Sequence, residues 1–461
     1  MDQNLMKDIE AFVEEKREFL LRDIARLVAI NSVEGEPEPG SPFGAGPRAA
    51  LDTGLTIARE LGLEAVDCQG YMGYAALGSG DRYLATITHL DVVPAGEGWS
   101  ADPFTLRRKE DAILGRGVMD DKGPSVVCLY ALHYLKERGV SLHYPIRALL
   151  GVNEETHMGD VRYYLAHEPA PLFCFSPDAE FPLCNGEKGI CHGRLISTAA
   201  RRDILDISAA PAANVIPARA RCLVKAAASL PSTECITACA AGDGLWELTA
   251  QGVGGHASLP EGTVNALGLL VKYLLEQGIG SEGERAFLHL LDKLHSASDG
   301  SALGAAADDG LFKPLTIVGT QASIDGEQLC QVFDCRYPTT MSGEKLRNLI
   351  AAQAGDAAEI LIDSDKEPFY ISTEDPAIQA CLRAYRSVTG ENEAQPYTIG
   401  GGTYARLFPR AVAFGPEHPE RPMPDFVGPI HGADEGALVS YLLEALKVYI
   451  VALLELEKLD L

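Results

Sequence analysis

The chain of 461 residues is long enough for about two to three domains, each with a sizeable hydrophobic core. It carries 39 Lys and Arg residues against 65 Asp and Glu residues, a formal net charge of −26, which argues against nucleic acid or an anionic membrane surface as its partner. Apolar residues make up 46% and charged residues 23% of the chain, a balance typical of a folded globular protein.

The N-terminal segment is acidic where a secretory signal would need a basic start and an apolar stretch. No run of about 18 uncharged apolar residues occurs, which is the length that a membrane helix needs. The 11 cysteines include no CxxC pair and lie mostly in apolar surroundings, as is typical of reduced thiols. We therefore expect a cytoplasmic protein.

In chain order, apolar residues at a helical period predict a long amphipathic helix over residues 5–28. A segment rich in glycine and proline at 34–47 predicts a surface loop. Apolar runs of strand length at 83–88, 146–152 and 172–175 then alternate with a helical stretch at 125–138. This order predicts an α/β fold with a mostly parallel mixed sheet flanked by helices.

Between residues 189 and 369 the pattern changes to shorter strand-like runs with two helical stretches, which predicts an inserted α+β domain. The helical stretches are 265–276 and 284–294, and the strand-like runs are 204–208, 218–225, 245–250, 316–319 and 328–335. A helix at 375–389, a strand at 411–414 and a closing helix at 433–456 follow the insertion. The first domain is therefore predicted to comprise residues 1–188 and 370–461.

Acidic side chains and one histidine stand where the strands of the first domain end. Because ligands bind beyond the carboxyl ends of the strands in an open α/β sheet, we expect these side chains to meet at one edge. Histidine together with carboxylates is a ligand set that suits Zn²⁺ in hydrolases. The residues at the strand ends and in the glycine-rich turn between them are His89, Asp91, Asp120, Glu154, Glu155 and Asp178.

Five motifs carry a family resemblance: THLDVVP, GRGVMDDKG, NEETHMGD, SPDAEFP and PIHGADE. In order and spacing they resemble the metal-site motifs of the cocatalytic zinc exopeptidase family, which contains aminoacylases, acetylornithine deacetylase, carnosinases and bacterial dipeptidases. The long insertion and the phrases GGGTYAR and DCRYP make the chain most similar to the PepV-type dipeptidases. The resemblance implies a zinc-exopeptidase catalytic domain, residues 1–188 and 370–461, and a lid domain, residues 189–369.

The resemblance also implies a dinuclear metal site with two Zn²⁺ ions per subunit, for which Mn²⁺ or Co²⁺ are possible substitutes. Asp120 would bridge the two ions. His89 and Asp178 would complete one site, and Glu155 and His431 the other. The water shared by the two cations would become the nucleophile, because their joint field lowers its pKa.

The resemblance implies roles for three further residues, two that act on the reacting groups and one that supports a metal ligand. Glu154 would be the general base that takes the proton of the metal-bridging water, and Asp91 would hydrogen-bond a liganding imidazole. The resemblance implies a cis peptide bond between Asp120 and Asp121. His256, in GGHASLP, resembles the lid histidine that donates to the developing oxyanion.

Substrate recognition is assigned by resemblance to two groups of residues. Asn214 and Arg336 resemble lid residues that hold the substrate, and a guanidinium suits a bidentate grip on a C-terminal carboxylate. Gly401, Gly402 and Thr403 resemble a loop of backbone donors near the same carboxylate.

These residues predict a zinc-dependent dipeptidase that acts on dipeptides with a free C-terminal carboxylate. An N-acyl-amino-acid deacylase or a tripeptide aminopeptidase of the same family would share the metal site and differ in the lid. A metal-dependent binding protein without activity is the alternative from another class, but it would have no reason to keep Glu154 and His256. We expect a small peptide as substrate, no nucleic-acid or membrane partner, and a monomer or weak homodimer.

Overall fold

A computed structural model describes residues 3–210 and 212–461. The chain forms two compact units. The first comprises Met1–Asn185, Tyr370–Tyr397 and Gly402–Leu461, and the second comprises Gly186–Phe369 and Thr398–Gly401. No pattern in the sequence predicts that residues 398–401 group with the second unit. The catalytic and lid roles of the two domains stay predictions.

Six helices lie close to the predicted stretches, and three others, at Ala45–Glu60, Gly159–His167 and Gly343–Ala354, were not predicted. One helix begins at Ala45, inside the predicted loop, because Pro47 falls in its first turn, where a missing N–H costs no hydrogen bond. The closing helix begins at Val439 because the preceding residues form a strand. The helices are α1 (Gln3–Val28), α2 (Ala45–Glu60), α3 (Lys122–Glu137), α4 (Gly159–His167), α5 (Ala266–Glu276), α6 (Glu282–Ser296), α7 (Gly343–Ala354), α8 (Pro376–Thr389) and α9 (Val439–Leu456). None of them, within the described part of the chain, combines the length and apolar composition that a membrane crossing requires.

The strands are β1 (Glu64–Cys68), β2 (Met72–Leu77), β3 (Leu84–His89), β4 (Arg107–Lys109), β5 (Ala112–Leu114), β6 (Ile146–Gly151), β7 (Phe173–Ser176), β8 (Ala179–Glu180), β9 (Cys184–Glu187), β10 (Gly189–Ala200), β11 (Ile204–Ala209), β12 (Val215–Ile216), β13 (Arg219–Lys225), β14 (Ile236–Gly242), β15 (Leu245–Gln251), β16 (Gly255–His256), β17 (Thr316–Asp325), β18 (Gln328–Tyr337), β19 (Ala358–Lys366), β20 (Phe369–Tyr370), β21 (Tyr397–Ile399), β22 (Ala411–Ala413), β23 (Pro416–Glu417) and β24 (Gly436–Leu438).

The sheet of the first unit has the strand order β1-β2-β6-β3-β7-β22-β9. Strands β6, β3, β7 and β22 are mutually parallel, and β1, β2 and β9 are antiparallel to their neighbours. His89 pairs with Gly151 in register, and Thr86 pairs with Phe175. The carboxyl ends of β3, β6 and β7 therefore lie at the same edge, and the predicted α/β class with a mostly parallel mixed sheet is confirmed.

Helix α3 is the most buried helix near this edge. Every residue from Lys122 to Leu132 is buried, so the helix is covered all round rather than along one stripe. Its apolar residues belong to the core of the first unit, together with those of α1, α2, α8 and α9. Because α3 begins directly after Asp120 and Asp121, its packing fixes the turn that carries them.

The second unit has an antiparallel sheet of order β14-β15-β13-β11-β17-β18-β10-β19, with α5, α6 and α7 contributing to its core. This is the α+β insertion that the sequence predicts. Strand β10 escapes a pattern search because it lies between β18 and β19 and because residues 189–191 and 195–197 are consecutively buried, so the alternation of apolar and polar residues is lost. A short ribbon pairs β12 with β16, Val215 opposite His256.

Glu284 links a helix end to a strand start in the second unit. With Ser281 it forms the capping box of α6. Its fully buried carboxylate also accepts the backbone N–H groups of Arg202, Asp203 and Ile204, at 2.8, 3.1 and 2.9 Å. One side chain thus satisfies donors from two elements.

We expect Glu284→Ala to lower the free energy of unfolding by about 2 to 4 kcal/mol, because it leaves several buried N–H donors without an acceptor. Ser281→Ala removes only the helix cap and should cost about 1 kcal/mol. Chemical denaturation of both variants measures the difference. Equal losses would mean that the bonds to residues 202–204 contribute nothing.

Candidate active site

Six of the predicted side chains meet at the carboxyl edge of the first-unit sheet. His89 is the last residue of β3, and Glu154 and Glu155 follow β6. Asp178 lies between β7 and β8. The other two come from loops: Asp120 from the turn before α3, and His431 from the segment before β24.

Asp120 lies between the two histidines. Its Oδ1 is 2.8 Å from Nε2 of His89, and its Oδ2 is 2.8 Å from Nε2 of His431. On either side, Nε2 of His431 is 3.2 Å from Oε1 of Glu155, and Nε2 of His89 is 3.9 Å from Oδ2 of Asp178. One carboxylate thus faces two imidazoles, each with a further acid beside it.

Two groups of donor atoms are close enough to hold a metal ion, each with its atoms within 4.8 Å of one another. One group is His89, Glu154 and Asp178, and the other is His89, Asp120 and Glu155. Glu154 was predicted only as the general base, but its place in the first group means that its carboxylate is also close enough to bind a metal ion.

The hydrogen bonds of His89 suit metal binding. Its Nδ1 lies 3.1 Å from the carbonyl oxygen of Asp91, to which it donates, so the lone pair is on Nε2. Nε2 of His89 and Oδ1 of Asp120 are both buried and have no hydrogen-bond partner among the described residues. Two unsatisfied buried acceptors that face each other fit a cation.

The charges at this edge also favour cations. Burial raises the pKa values of Glu154 and Asp178 well above their usual range, and neighbouring carboxylates add to the effect. Hydrogen bonds to Asp120 and Glu155 raise the pKa of His431 to about 10. Although burial opposes it, the hydrogen bond from His431 is the largest of the contacts that hold the pKa of Asp120 below its usual range. Divalent cations would replace the protons that these groups otherwise retain.

Asp91 supports the site in a way that differs in detail from the prediction. The bond to the His89 ring comes from its backbone carbonyl, while its carboxylate lies 3.6 Å from Nδ1. That carboxylate accepts the backbone N–H groups of Glu154 and Glu155, at 3.2 and 3.1 Å. Asp91 therefore positions the loop that carries both glutamates as well as the histidine.

The turn at Asp120 has the predicted backbone. The peptide bond between Asp120 and Asp121 is cis, as the resemblance implies. Oδ2 of Asp121 accepts the backbone N–H of His89 at 3.1 Å, which ties the turn to the end of β3.

Sequence reasoning missed a buried ion pair that joins two of the motifs. Arg116 in GRGVMDDKG pairs with Glu435 in PIHGADE, and both side chains are about 1% exposed. Glu435 also accepts the N–H of Met119 at 3.3 Å, and Arg116 donates to the carbonyl of His431 at 3.1 Å. The pair connects the Asp120 turn to the His431 loop. Both residues lie inside motifs that resemble the family's metal-site motifs, and this position was the only indication of their role that the sequence offered.

A second missed residue, Asp160, holds the start of the glutamate loop. Its carboxylate accepts the N–H groups of Val152 and Asn153, at 2.7 and 3.0 Å, and the hydroxyl of Tyr404. Burial is the main cause that raises its pKa to about 6. Asp160 closes the motif NEETHMGD, so it too stood in a quoted segment.

The predicted oxyanion donor His256 and Asn214 lie in the second unit. Asn214 accepts the backbone N–H of Ala257 at 2.9 Å, next to the β12–β16 ribbon. Nδ1 of His256 accepts the N–H of Ser258 at 3.2 Å, which places the ring proton on Nε2. Partial desolvation, together with the charge of Arg336, lowers the pKa of His256, so its ring is neutral at pH 7.

Arg336 is buried and already engaged within the second unit. It donates from Nε and one terminal nitrogen to both oxygens of Asp334, each at 2.7 Å, and from the other to the carbonyl of Gly400 at 2.9 Å. Asp334 thus occupies the bidentate face of the guanidinium. Only the remaining N–H groups of the guanidinium are available to another acceptor.

The three residues predicted as a donor loop are divided between the units. Gly401 groups with the second unit, and Gly402 and Thr403 group with the first. The Thr403 hydroxyl accepts the N–H of Ala405 at 3.1 Å and caps a short helix there.

Histidine and carboxylate donors at the carboxyl edge of a mixed α/β sheet, with a further acid among them, define a metal-dependent hydrolase. The profile of Peptidase family M20/M25/M40 matches residues 85–455. The chain therefore belongs to this family, and it is a hydrolase that acts on peptide bonds.

Similar proteins extend over the whole chain. The chain is 32% identical over 484 residues to the beta-Ala-Xaa dipeptidase of Lactobacillus delbrueckii subsp. lactis, with 99% of both chains covered. It is 30% identical over 468 residues to the putative dipeptidase YtjP of Bacillus subtilis (strain 168), with 97% of this chain and 99% of the relative covered. Among solved structures, human carnosine dipeptidase 1 has a similar fold, with a TM-score of 0.58 and 14% identity over 98% of this chain and 100% of that chain. The resemblance read from the sequence is confirmed.

We expect Asp91→Ala to weaken metal binding by about 10- to 100-fold, because the backbone of Glu154 and Glu155 loses its anchor. Asp102 is the matched control, since it accepts N–H and hydroxyl bonds in an exposed loop. Metal content after dialysis against graded chelator measures the change. Identical metal retention by Asp91→Ala and Asp102→Ala would contradict the anchoring role.

Proposed function

We propose that the chain is a dipeptidase that uses two Zn²⁺ ions and cleaves dipeptides with a free C-terminal carboxylate. The observation that carries this proposal is the position of Asp120, whose two oxygens each lie 2.8 Å from a different imidazole nitrogen. A carboxylate whose two oxygens each face a different imidazole nitrogen is suited to bridge two cations. The names of the two similar dipeptidases support the substrate class.

We assign His89 and Asp178 to one ion and Glu155 and His431 to the other, with Asp120 shared. When bound, such ions supply Lewis acidity that polarises the scissile carbonyl and acidifies water. The mixed nitrogen and oxygen donors suit Zn²⁺, and Mn²⁺ or Co²⁺ could occupy the same ligands.

Glu154 is assigned the proton transfers. It takes a proton from the attacking water as the carbon–oxygen bond forms, and it delivers that proton to the leaving nitrogen as the carbon–nitrogen bond breaks. Burial raises the pKa of Glu154, which suits a group that must hold the proton between the two steps. The bond from its N–H to Asp91 fixes the loop on which it stands.

Further residues are assigned to the rest of the substrate. His256, neutral and protonated at Nε2, is suited to donate to the oxygen that becomes negative. Arg336, with Asn214 and the Gly401–Thr403 loop, is assigned to the C-terminal carboxylate. The eleven free thiols fit a cytoplasmic enzyme, and a monomer or weak homodimer stays our prediction for its assembly.

We expect Glu154→Gln to lower kcat by about 10² to 10⁴-fold while both metal ions stay bound, because the amide cannot accept the proton. Steady-state kinetics with metal analysis of the same sample test this. Turnover near that of the wild type would move the base role to another group.

We also expect the wild type to hydrolyse a dipeptide much faster than its C-terminal amide or the corresponding tripeptide. Loss of the carboxylate should cost roughly 2 to 5 kcal/mol in kcat/KM, as for other broken charge pairs. Arg336→Ala should reduce the preference, whereas Arg194→Ala, which breaks an exposed pair with Asp363, should not.

The same panel separates the alternatives. Equal kcat/KM for all three peptides would favour an aminopeptidase, and turnover of N-acetyl amino acids instead would favour a deacylase. Metal binding without turnover of any substrate would favour a binding protein.

A further inference from the structure

One carboxylate beside the candidate metal site has no part in the proposed mechanism. Glu417 ends β23, which pairs in parallel with β8, and it lies opposite Glu180. Its carbonyl oxygen accepts the N–H of Phe181 at 2.8 Å. Because β8 begins directly after Asp178, this pairing places Glu417 next to the segment that carries a proposed metal ligand.

The Glu417 carboxylate has no cation partner among the described residues. The arginines of this region are already paired, Arg116 with Glu435 and Arg421 with Glu444. Burial, followed by the negative charge of a metal-site carboxylate, raises its pKa to about 7. A partly buried acid in this position is stabilised by any ligand that brings a positive charge.

A cavity of about 310 Å³ opens beside Glu417. Among the described residues that line this cavity, Glu417 is the only acidic one. The size is at the lower end of small-molecule sites, about 300 to 1,000 Å³. Two wall residues neighbour the metal site in sequence, Met119 directly before Asp120 and Ile430 directly before His431. The wall of the cavity therefore comes within one residue of two proposed metal ligands.

The rest of the wall is mainly apolar. Met423, Val427 and Tyr441 contribute side chains to it. Arg421 is present, but its guanidinium is paired with Glu444 and Glu391. The cavity thus offers one carboxyl group without a salt-bridge partner among the described residues, and an apolar surface.

We propose that this cavity is the subsite for the N-terminal residue of the dipeptide, where Glu417 binds the free α-ammonium group and the apolar wall takes the side chain. This inference rests on the proposed dipeptidase function. The α-ammonium and the side chain branch from one carbon, and that carbon is bonded to the carbonyl that water attacks. A subsite for both must therefore lie close to the metal ligands, and this cavity is bordered by the residues directly before two of them. Substrates with a large apolar N-terminal side chain are then favoured, and an acylated amine loses its pairing with Glu417.

The apolar wall is tested with two dipeptides of the same composition, Phe-Gly and Gly-Phe. Met423→Trp fills the cavity, so the ratio of kcat/KM for Phe-Gly to that for Gly-Phe should fall by about tenfold or more. Val427→Phe is a second variant with the same expected effect if Met423→Trp does not fold, as judged by its melting temperature and metal content.

The charge is tested with Glu417→Gln, which should lower kcat/KM for both dipeptides by about 30-fold, mainly through KM. The inhibition constant of 3-phenylpropionyl-glycine, which lacks the ammonium group, should stay within about twofold of the wild-type value. Glu420→Gln, an exposed acid three residues further on, is the matched control and should change neither quantity.

The outcomes separate the two proposals. If the wild type with its metals hydrolyses neither dipeptide, the dipeptidase function fails and this inference fails with it. If the wild type is active but the cavity variants leave the Phe-Gly to Gly-Phe ratio unchanged, or Glu417→Gln behaves like Glu420→Gln, only the subsite is refuted.

Discussion

The structure depends on one electrostatic constraint: several carboxylates and two imidazoles share a small, partly buried volume at the edge of a sheet. Asp120 lies between His89 and His431, and Glu154, Glu155 and Asp178 surround them. Such a cluster is stable only with protons or cations in place, because like charges in a low dielectric repel strongly. The same repulsion between carboxylates that destabilises the metal-free protein favours the binding of divalent ions.

The surrounding hydrogen bonds hold these groups in place without occupying their metal-facing atoms. Asp91 anchors the loop of both glutamates, and Asp160 anchors the start of the same loop. The buried Arg116–Glu435 pair joins the Asp120 turn to the His431 loop. All three of these contacts involve backbone N–H or C=O groups of the segments that carry the ligands. They therefore fix the backbone from which the ligand side chains extend.

Much of this could be predicted from the sequence, and the remainder depended on contacts between distant segments. The sequence indicates the end of β3 at His89, because an apolar run stops at a histidine. It does not indicate β10, because buried and exposed residues do not alternate regularly along that strand. The Arg116–Glu435 pair joins residues more than 300 positions apart, and no local pattern reports it. The engagement of Arg336 by Asp334 could have been foreseen, since residues two apart in a strand point to the same face.

Helix α3 has a consequence for how this enzyme can diversify. Its first turn continues directly from Asp120 and Asp121, and its whole circumference is packed, so a change of side-chain volume within it is transmitted to the metal site. If the loops around residues 417–430 and the second unit bind the substrate as proposed, new specificities are more accessible there than through this helix. Laboratory evolution should accumulate its substitutions in those loops and leave the helix almost unchanged.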